Sequence, residues 1–343
     1  MISPCKLAIL IPTYNGAGCI GEALQSIILW SPSQTAKPNA PIPPVYIFDD
    51  CSTDDTIQVA RESQASLPLH IVRNQRNLGE CGNVNHAMVT LRALGFDWVM
   101  LLHQDDLLAG PWIQTCLDLL EKPDPALGMI CCTNLYCQMH ESREIPFVPR
   151  PEKLPQTEYP GTDASIRSLR RNWFWTVSGS VFRTSAYVES GGMHPLLRFA
   201  GDNDFLVRFM LGGHATLSIA WPAILKRYSG ESQTGRANET GTDIICWAYL
   251  MQKYLPLSSK SERTVEYSIQ AKNILRRAIS MARRGRPAAA RVQLKSLVLI
   301  LHSYCALITG SKLLIPAPVR PLLEFTFAPL PLPALQPADI VST

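Results

Sequence analysis

The chain has 343 residues, 46% of them apolar and 17% charged, which suffices for one sizeable domain with an appendage. Its net charge of +4 gives no electrostatic case for a dedicated nucleic-acid binder. Residues 1–10 carry one lysine and an apolar run that Pro12 soon cuts, too short for an export signal. The ten cysteines include no CxxC pair, so they read as reduced, mostly buried thiols of a cytoplasmic protein.

Residues 6–12 (KLAILIP) form a short, continuously apolar run of the kind that makes a buried parallel strand, and residues 21–29 have helical apolar spacing. The pattern predicts further strands at 45–48, 69–72 and 98–102, with helices from Thr53 and over 83–94. Such alternation implies an α/β domain with a mostly parallel sheet covered on both faces. Ligands of such sheets sit beyond the carboxyl ends of the strands, where Asp49-Asp50 and His103-Gln104-Asp105-Asp106 fall. Pro-rich residues 31–44 and 145–160 read as loops.

From about residue 242 the pattern is helical, with no Asp or Glu between Tyr267 and Leu323 but with Lys272, Arg276, Arg277, Arg283, Arg284, Arg286, Arg291 and Lys295. The apolar stretch 297–310 that follows is shorter than the roughly 20 residues of a membrane-spanning helix. Two readings stand side by side: peripheral contact with the inner face of the cell membrane, or a helical cap with a solvated basic face. The expected division is 1–235 for the α/β domain, 236–315 for a basic helical extension and 316–343 for an irregular Pro-rich tail.

Gly16, Gly18 and Gly21 match the GxGxxG spacing of dinucleotide-binding turns and lie between a strand and a helix. In the dinucleotide fold, however, the glycines follow the strand directly, whereas Pro12-Thr13-Tyr14-Asn15 intervene here. These glycines are better assigned to a turn and a helix start.

Four motifs in order, PTYN (12–15), DDCSTDDT (49–56), NLGECGNVN (77–85) and HQDD (103–106), resemble those of family 2 glycosyltransferases. The resemblance covers about residues 6–235 and implies a Rossmann-type GT-A fold, a nucleoside-diphosphate-sugar donor, a saccharide or lipid-linked hydroxyl acceptor, a divalent metal and inversion at the anomeric carbon. It also implies cell-surface polysaccharide or glycolipid assembly as the setting. It assigns Pro12, Tyr14, Asp49, Asp50, Asn77, Asn85, His103 and Asp105 to the nucleotide-sugar side, with Tyr14 stacking on the base and Asp50 accepting a hydrogen bond. Asp49 can equally orient its loop, and Asn77 and Asn85 can make local bonds to backbone.

Hard oxygen ligands suit Mn2+ or Mg2+, so Asp105 and Asp106 are the metal candidates, with helix capping as the alternative for Asp106. Position 103 holds His where the family commonly has Asp; a neutral imidazole can bind a metal or donate to ribose. A fifth motif at 201–208 resembles the family's acidic acceptor motif, with Gly201 in place of Glu and Asp202 as the candidate general base. Asp204 is assigned to the acceptor side, or to an ion pair with Arg208 one helical turn later. Trp173 and Trp175 are candidates for stacking on an acceptor sugar. Lys226-Arg227 stands where relatives often place a His, and reads either as phosphate-neutralising or as a surface basic pair. The competing functional class is a non-catalytic nucleotide-sugar or glycan binder of the same fold.

Overall fold

The computed structural model describes residues 6–30, 42–138, 147–154, 156–159, 177–197, 200–228, 246, 250, 253–254 and 260–309. The elements in chain order are β1 (Leu7–Thr13), α1 (Ile20–Leu29), β2 (Val45–Asp49), α2 (Thr56–Glu62), β3 (Leu69–Arg73), α3 (Gly79–Ala93), β4 (Trp98–Leu101), β5 (Leu107–Leu108), α4 (Trp112–Leu119) and β6 (Leu127–Gln138). They are followed by β7 (Gln156–Tyr159), β8 (Val181–Arg183), α5 (Thr184–Glu189), α6 (Gly201–Leu211), β9 (Ala215–Tyr228), α7 (Lys260–Arg283) and α8 (Pro287–Thr309).

One sheet runs β3-β2-β1-β4-β8-β6-β9-β5, with β7 also pairing β9. β1 pairs in parallel with both β2 and β4, so the strand order reverses at β1 and opens a crevice at the carboxyl ends of these strands. β8 is antiparallel to both β4 and β6, and β9 is parallel to β6. The carboxyl end of β9 therefore shares the edge at which β1, β2 and β4 end.

Alternation along β1 explains the two-sided core. Leu7, Ile9 and Ile11 join α1 and Trp112 on one face, while Ala8 and Leu10 join α3, α5 and α6 on the other. A strand buried on both faces needs the unbroken apolar run seen in the sequence. Each fully buried Ile or Leu contributes about 1.5–3 kcal/mol relative to exposure.

Two differences from the sequence pattern have physical causes. α3 begins at Gly79, ahead of the expected 83, because its first N–H groups are capped by a carboxylate from another strand, as described below. Gln156–Tyr159, inside the loop expected at 145–160, is a strand: between Pro155 and Pro160 lie four residues able to pair, and β9 offers them an edge.

α7 and α8 pack on each other across a turn at Gly285 (φ +71°), burying Tyr267, Ile274, Ala278 and Ala290. Among the described residues, no helix is long and apolar enough to cross a membrane. Residues 147–154 of the loop expected at 145–160 form no helix or strand; 145, 146, 155 and 160, residues 31–41 of the loop expected at 31–44, and the tail beyond 315 lie outside the described residues.

Candidate functional site

At the switch point, the loop after β1 is stitched to the loop after β2. Asn15, in the left-handed region at φ +47°, accepts the Thr53 N–H through Oδ1 (2.8 Å) and donates its own N–H to Ser52 Oγ (2.9 Å). The Gly16 N–H donates to Thr56 Oγ1 (2.7 Å), and the Ala17 N–H to Asp54 (3.1 Å). From the other side Gln104 accepts the Tyr14 N–H (3.0 Å) and donates to the Tyr14 carbonyl (3.1 Å). The backbone of Tyr14 is thus fixed while its ring stays 48% exposed at the cleft. Pro12 lies within β1 in register with Phe48 of β2, one residue short of that loop.

Asp49 is fully buried and accepts the Ser52 N–H (3.1 Å), so it orients its own loop. Asp50, also buried, accepts from Asn74 Nδ2 (2.8 Å) and the Leu78 N–H (2.8 Å) on Oδ1, and from the Gly79 N–H (2.9 Å) on Oδ2. The last two are the donors that a helix start leaves unpaired, and the carboxylate also meets the positive end of the helix dipole. A carboxylate has about four acceptor positions, which leaves Asp50 a single one on Oδ2. Asn77 donates to the Asp50 carbonyl (3.2 Å) and accepts from Gly79, whose φ of +74° favours glycine. Asn85 accepts from Tyr187 Oη and the Met193 N–H (2.8 Å each), tying α3 to α5 and the turn beyond it.

After β4 the chain turns through His103, whose N–H donates to Ser178 Oγ (3.1 Å). One ligand atom from each of His103, Asp105 and Asp106 lies within 4.8 Å of the others. The buried Asp106 accepts the Arg227 N–H on Oδ1 (3.2 Å), while its Oδ2 and the Nε2 of His103 have no hydrogen-bond partner. Burial raises the Asp105 carboxyl, with Asp106 adding to the effect; burial raises Asp106 against the pull of Lys226. Burial also lowers His103, reinforced by Lys226. Two buried atoms with lone pairs and no donor, beside two carboxylates, fit a divalent cation by the chemistry of the donor set.

Arg227 is no surface residue: it is 2% exposed, and its guanidinium donates to the Asp105 carbonyl and pairs with Glu22 of α1. Lys226 is half-buried, and its charge bears on His103, Asp105, Asp106, Asp202 and Glu80.

α6 carries the other acids. Ala200 caps it in the left-handed conformation at φ +67°. With Asn15 and Cys51 it completes the set of non-glycine residues at positive φ among those described, and Asn15 and Cys51 lie in the loops stitched together after β1 and β2. Such strain costs on the order of 1–3 kcal/mol per residue and clusters at functional sites. Gly201 has no room for a side chain, since a Cβ there would lie 2.7 Å from Cys81 Sγ and 3.2 Å from the His194 carbonyl. Asp202 is half-buried, accepts the Asn203 N–H (2.8 Å), and has its carboxyl raised by burial. Asp204, expected on the acceptor side, is instead fully buried in an ion-pair network with Arg208 (2.8 Å), Lys253 (3.0 Å) and Tyr254 Oη (2.8 Å).

Residues 8–177 match the family model described as Glycosyl transferase family 2. The chain belongs to this family. Among curated proteins, this family 2 chain is 29% identical over 119 residues to an uncharacterized glycosyltransferase of Mycoplasma pneumoniae, covering 35% of this chain and 38% of the relative. It is 32% identical over 128 residues to chondroitin synthase of Escherichia coli, covering 37% and 17%. The matches thus span under two fifths of these relatives' length. Among solved structures, that of Staphylococcus aureus TarS residues 1–349 in complex with UDP-GlcNAc aligns with a TM-score of 0.53 at 16% identity, covering 89% of this chain and 92% of that one. The fold is GT-A.

The family 2 chain brings Tyr14, Asp50, His103, Asp105 and Asp106 to one edge of the sheet, whereas Trp173 and Trp175 lie outside the described residues. The sequence reading missed Gln104, Glu22 and Glu80. Glu80, at the start of α3, has a side chain 42% exposed with Oε1 3.6 Å from His103 Nε2, and partial desolvation together with Asp202 and Asp105 raises its carboxyl to about 7. In the sequence it is one more acid after a turn glycine, with no spacing to mark it.

Proposed function

We propose that the protein is an inverting glycosyltransferase that moves a sugar from a nucleoside-diphosphate carrier to a hydroxyl acceptor. The observation that carries this reading is the group of His103, Asp105 and Asp106, whose ligand atoms lie within 4.8 Å of one another beyond the end of β4, with the charge of Lys226 acting on it and on Asp202 of α6. Breaking the bond from the anomeric carbon to the diphosphate leaves negative charge on the phosphate. Asp105 and Asp106, with His103, would hold a divalent ion, Mn2+ or Mg2+, which would supply Lewis-acid charge for that leaving group. Lys226 adds a fixed cation on the same side, and the exposed Tyr14 ring is available to the base. Asp202 takes the acceptor hydroxyl proton as that oxygen attacks the anomeric carbon from the face opposite the phosphate; its raised carboxyl makes it a stronger base.

The names of two relatives, poly(ribitol-phosphate) beta-N-acetylglucosaminyltransferase TarS and chondroitin synthase, support polysaccharide assembly as the setting. A peripheral membrane contact through α7 and α8 is part of the proposal. Leu275, Ile279, Leu294, Val298 and Leu301 are exposed among exposed Arg276, Arg283, Arg291 and Lys295.

Thermal unfolding with UDP, GDP and dTDP, each with and without Mn2+, tests the donor side. We expect one nucleotide to raise the midpoint only with metal, and Asp105→Ala to abolish that rise. Asp202→Asn should keep donor binding and lose transfer by roughly 100- to 10,000-fold. Transfer undiminished in Asp202→Asn, or a nucleotide response indifferent to both metal and Asp105, would sink the mechanism.

A further inference from the structure

We infer that Glu80 is the third carboxylate of the cation centre, holding the divalent ion together with Asp105 and Asp106 and supplying the acid that position 103 lacks. This role for Glu80 rests on the donor-side reading proposed above and goes beyond it by naming a ligand from outside the HQDD motif.

The placement of Glu80 is fixed by its surroundings. It follows Gly79, whose single N–H donates to both Asp50 Oδ2 and Asn77 Oδ1, so the first turn of α3 is anchored to the loop after β2. From there Glu80 Oε1 comes within 3.6 Å of His103 Nε2. That separation is too long for a hydrogen bond. It suits two atoms sharing one ion, because ligand bonds of about 2.0–2.3 Å set neighbouring ligands about 3–4 Å apart.

Two buried polar atoms at this spot lack hydrogen-bond partners. His103 Nε2 has no hydrogen-bond partner, and neither has Oδ2 of Asp106, whose side chain is only 3% exposed. His103 and Asp106 belong with Asp105 to one group of ligand atoms within 4.8 Å of one another, His103 Nδ1 lying 3.9 Å from Asp106 Oδ2 and Glu80 standing just outside the group.

Charge and ligand type argue the same way. Asp106 has one oxygen already committed to the Arg227 N–H, and the Lys226 charge bears on His103, Asp105 and Asp106, so a further carboxylate would add an oxygen ligand to the two that HQDD supplies. A third carboxylate restores the negative balance. α6 does not provide it at 201, because Cys81 fills the space a side chain there would need. Glu80, the residue before Cys81, instead offers one from α3, with Oε1 3.6 Å from His103 Nε2. A purely structural role, an acid favourably placed in the first turn of a helix, predicts only a small loss of stability on removal.

The test is Mn2+ binding to the full chain, followed by the electron paramagnetic resonance signal of free Mn2+, with and without UDP or GDP, alongside metal-free thermal unfolding. We expect wild type to bind Mn2+ and Glu80→Gln to weaken binding at least tenfold, with the metal-free unfolding midpoint nearly unchanged. Glu80→Asp should fall between the two. His103→Asp in the Glu80→Gln background should recover most of the lost affinity, since it returns a carboxylate to the same gap. Wild-type affinity in Glu80→Gln while Asp105→Ala abolishes binding would overturn the role of Glu80 and leave the proposed donor site standing. No Mn2+ binding by wild type would overturn both. Mn2+ binding that depends on Glu80 without any nucleotide response would uphold the ligand and overturn the donor reading.

Discussion

Replacing Gly201 by alanine asks whether Cys81 is the reason that the acceptor motif has lost its acid. The new Cβ would stand 2.7 Å from Cys81 Sγ and 3.2 Å from the His194 carbonyl, about an ångström inside ordinary contact for the sulfur. Cys81 cannot swing away freely, because its thiol sits 3.7 Å from the Leu197 carbonyl and the residue lies in the first turn of α3. Overpacking of this kind costs about 1–3 kcal/mol. The helix-propensity gain from removing a glycine offsets at most about 1 kcal/mol, and less at the first position of a helix. For a domain of this size each kcal/mol moves the midpoint about 2–4 °C, so Gly201→Ala should lower it by several degrees. In a Cys81→Ala background the same change should be nearly neutral, leaving a coupling of about 1–2 kcal/mol. Thermal and urea unfolding of the four proteins in the cycle measures it. Additive effects, with Gly201→Ala equally damaging in both backgrounds, would falsify the steric account. A glutamate shares the same Cβ, so Gly201→Glu should be tolerated only with Cys81→Ala.

Asp204 gives the fold a pH dependence of predictable sign. Burial alone would raise its carboxyl, but Arg208, Lys253 and the hydrogen bonds of Arg208 and Tyr254 outweigh it and hold the group below its ordinary value. A depressed carboxyl stabilises the fold above the unfolded value of about 4 and loses that contribution as pH falls through the folded value. Asp204→Asn should therefore cost about 3 kcal/mol at pH 7, near the low end for a broken buried pair because Arg208 keeps the Ser190 and Gly192 carbonyls. The gap from wild type should close below about pH 4; a gap constant down to pH 2.5 in acid unfolding would refute the assignment. On α7, Arg283→Gln with Arg284→Gln should weaken co-sedimentation with anionic vesicles roughly 30-fold, at about 1 kcal/mol per basic residue. Binding that is unchanged, or equal on zwitterionic vesicles, would favour a solvated helical cap.

Much of the fold was legible because strands buried on both faces leave unbroken apolar runs. Residues 6–12 and 98–102 read as strands from composition alone, and the acidic clusters after them located the ligand edge. What stayed hidden depends on partners distant in sequence. α3 starts at Gly79 because Asp50, 29 residues earlier, caps it. The strand Gln156–Tyr159 exists because β9 offers it an edge. Within the site, Tyr14 and Asp105 were visible as motif letters, but Gln104, the variable letter of HQDD, proved to clamp the Tyr14 backbone. Arg227 read equally well as a surface cation, since nothing in Lys226-Arg227-Tyr228 announces that a buried guanidinium will bind the turn at Asp105 and reach back to Glu22.

Two of the three departures from the family pattern, His103 and Gly201, lie far apart in sequence yet meet the same turn of α3. Glu80 faces His103, and Cys81 fills the space above Gly201. A site in decay would be expected to lose acids singly and leave cavities or unpaired neighbours behind. Here a thiol occupies the volume at one position, and a carboxylate stands beside the other. The first turn of α3 thus sets a thiol against Gly201 and a carboxylate beside His103. Because Asp50 caps that turn, the acids of the cleft are tied to the loop that holds Tyr14 through Asn15 and Ser52. Loosening the cap should consequently disturb cation binding and nucleotide binding together, although Asp50 itself has only one acceptor position left to offer a ligand.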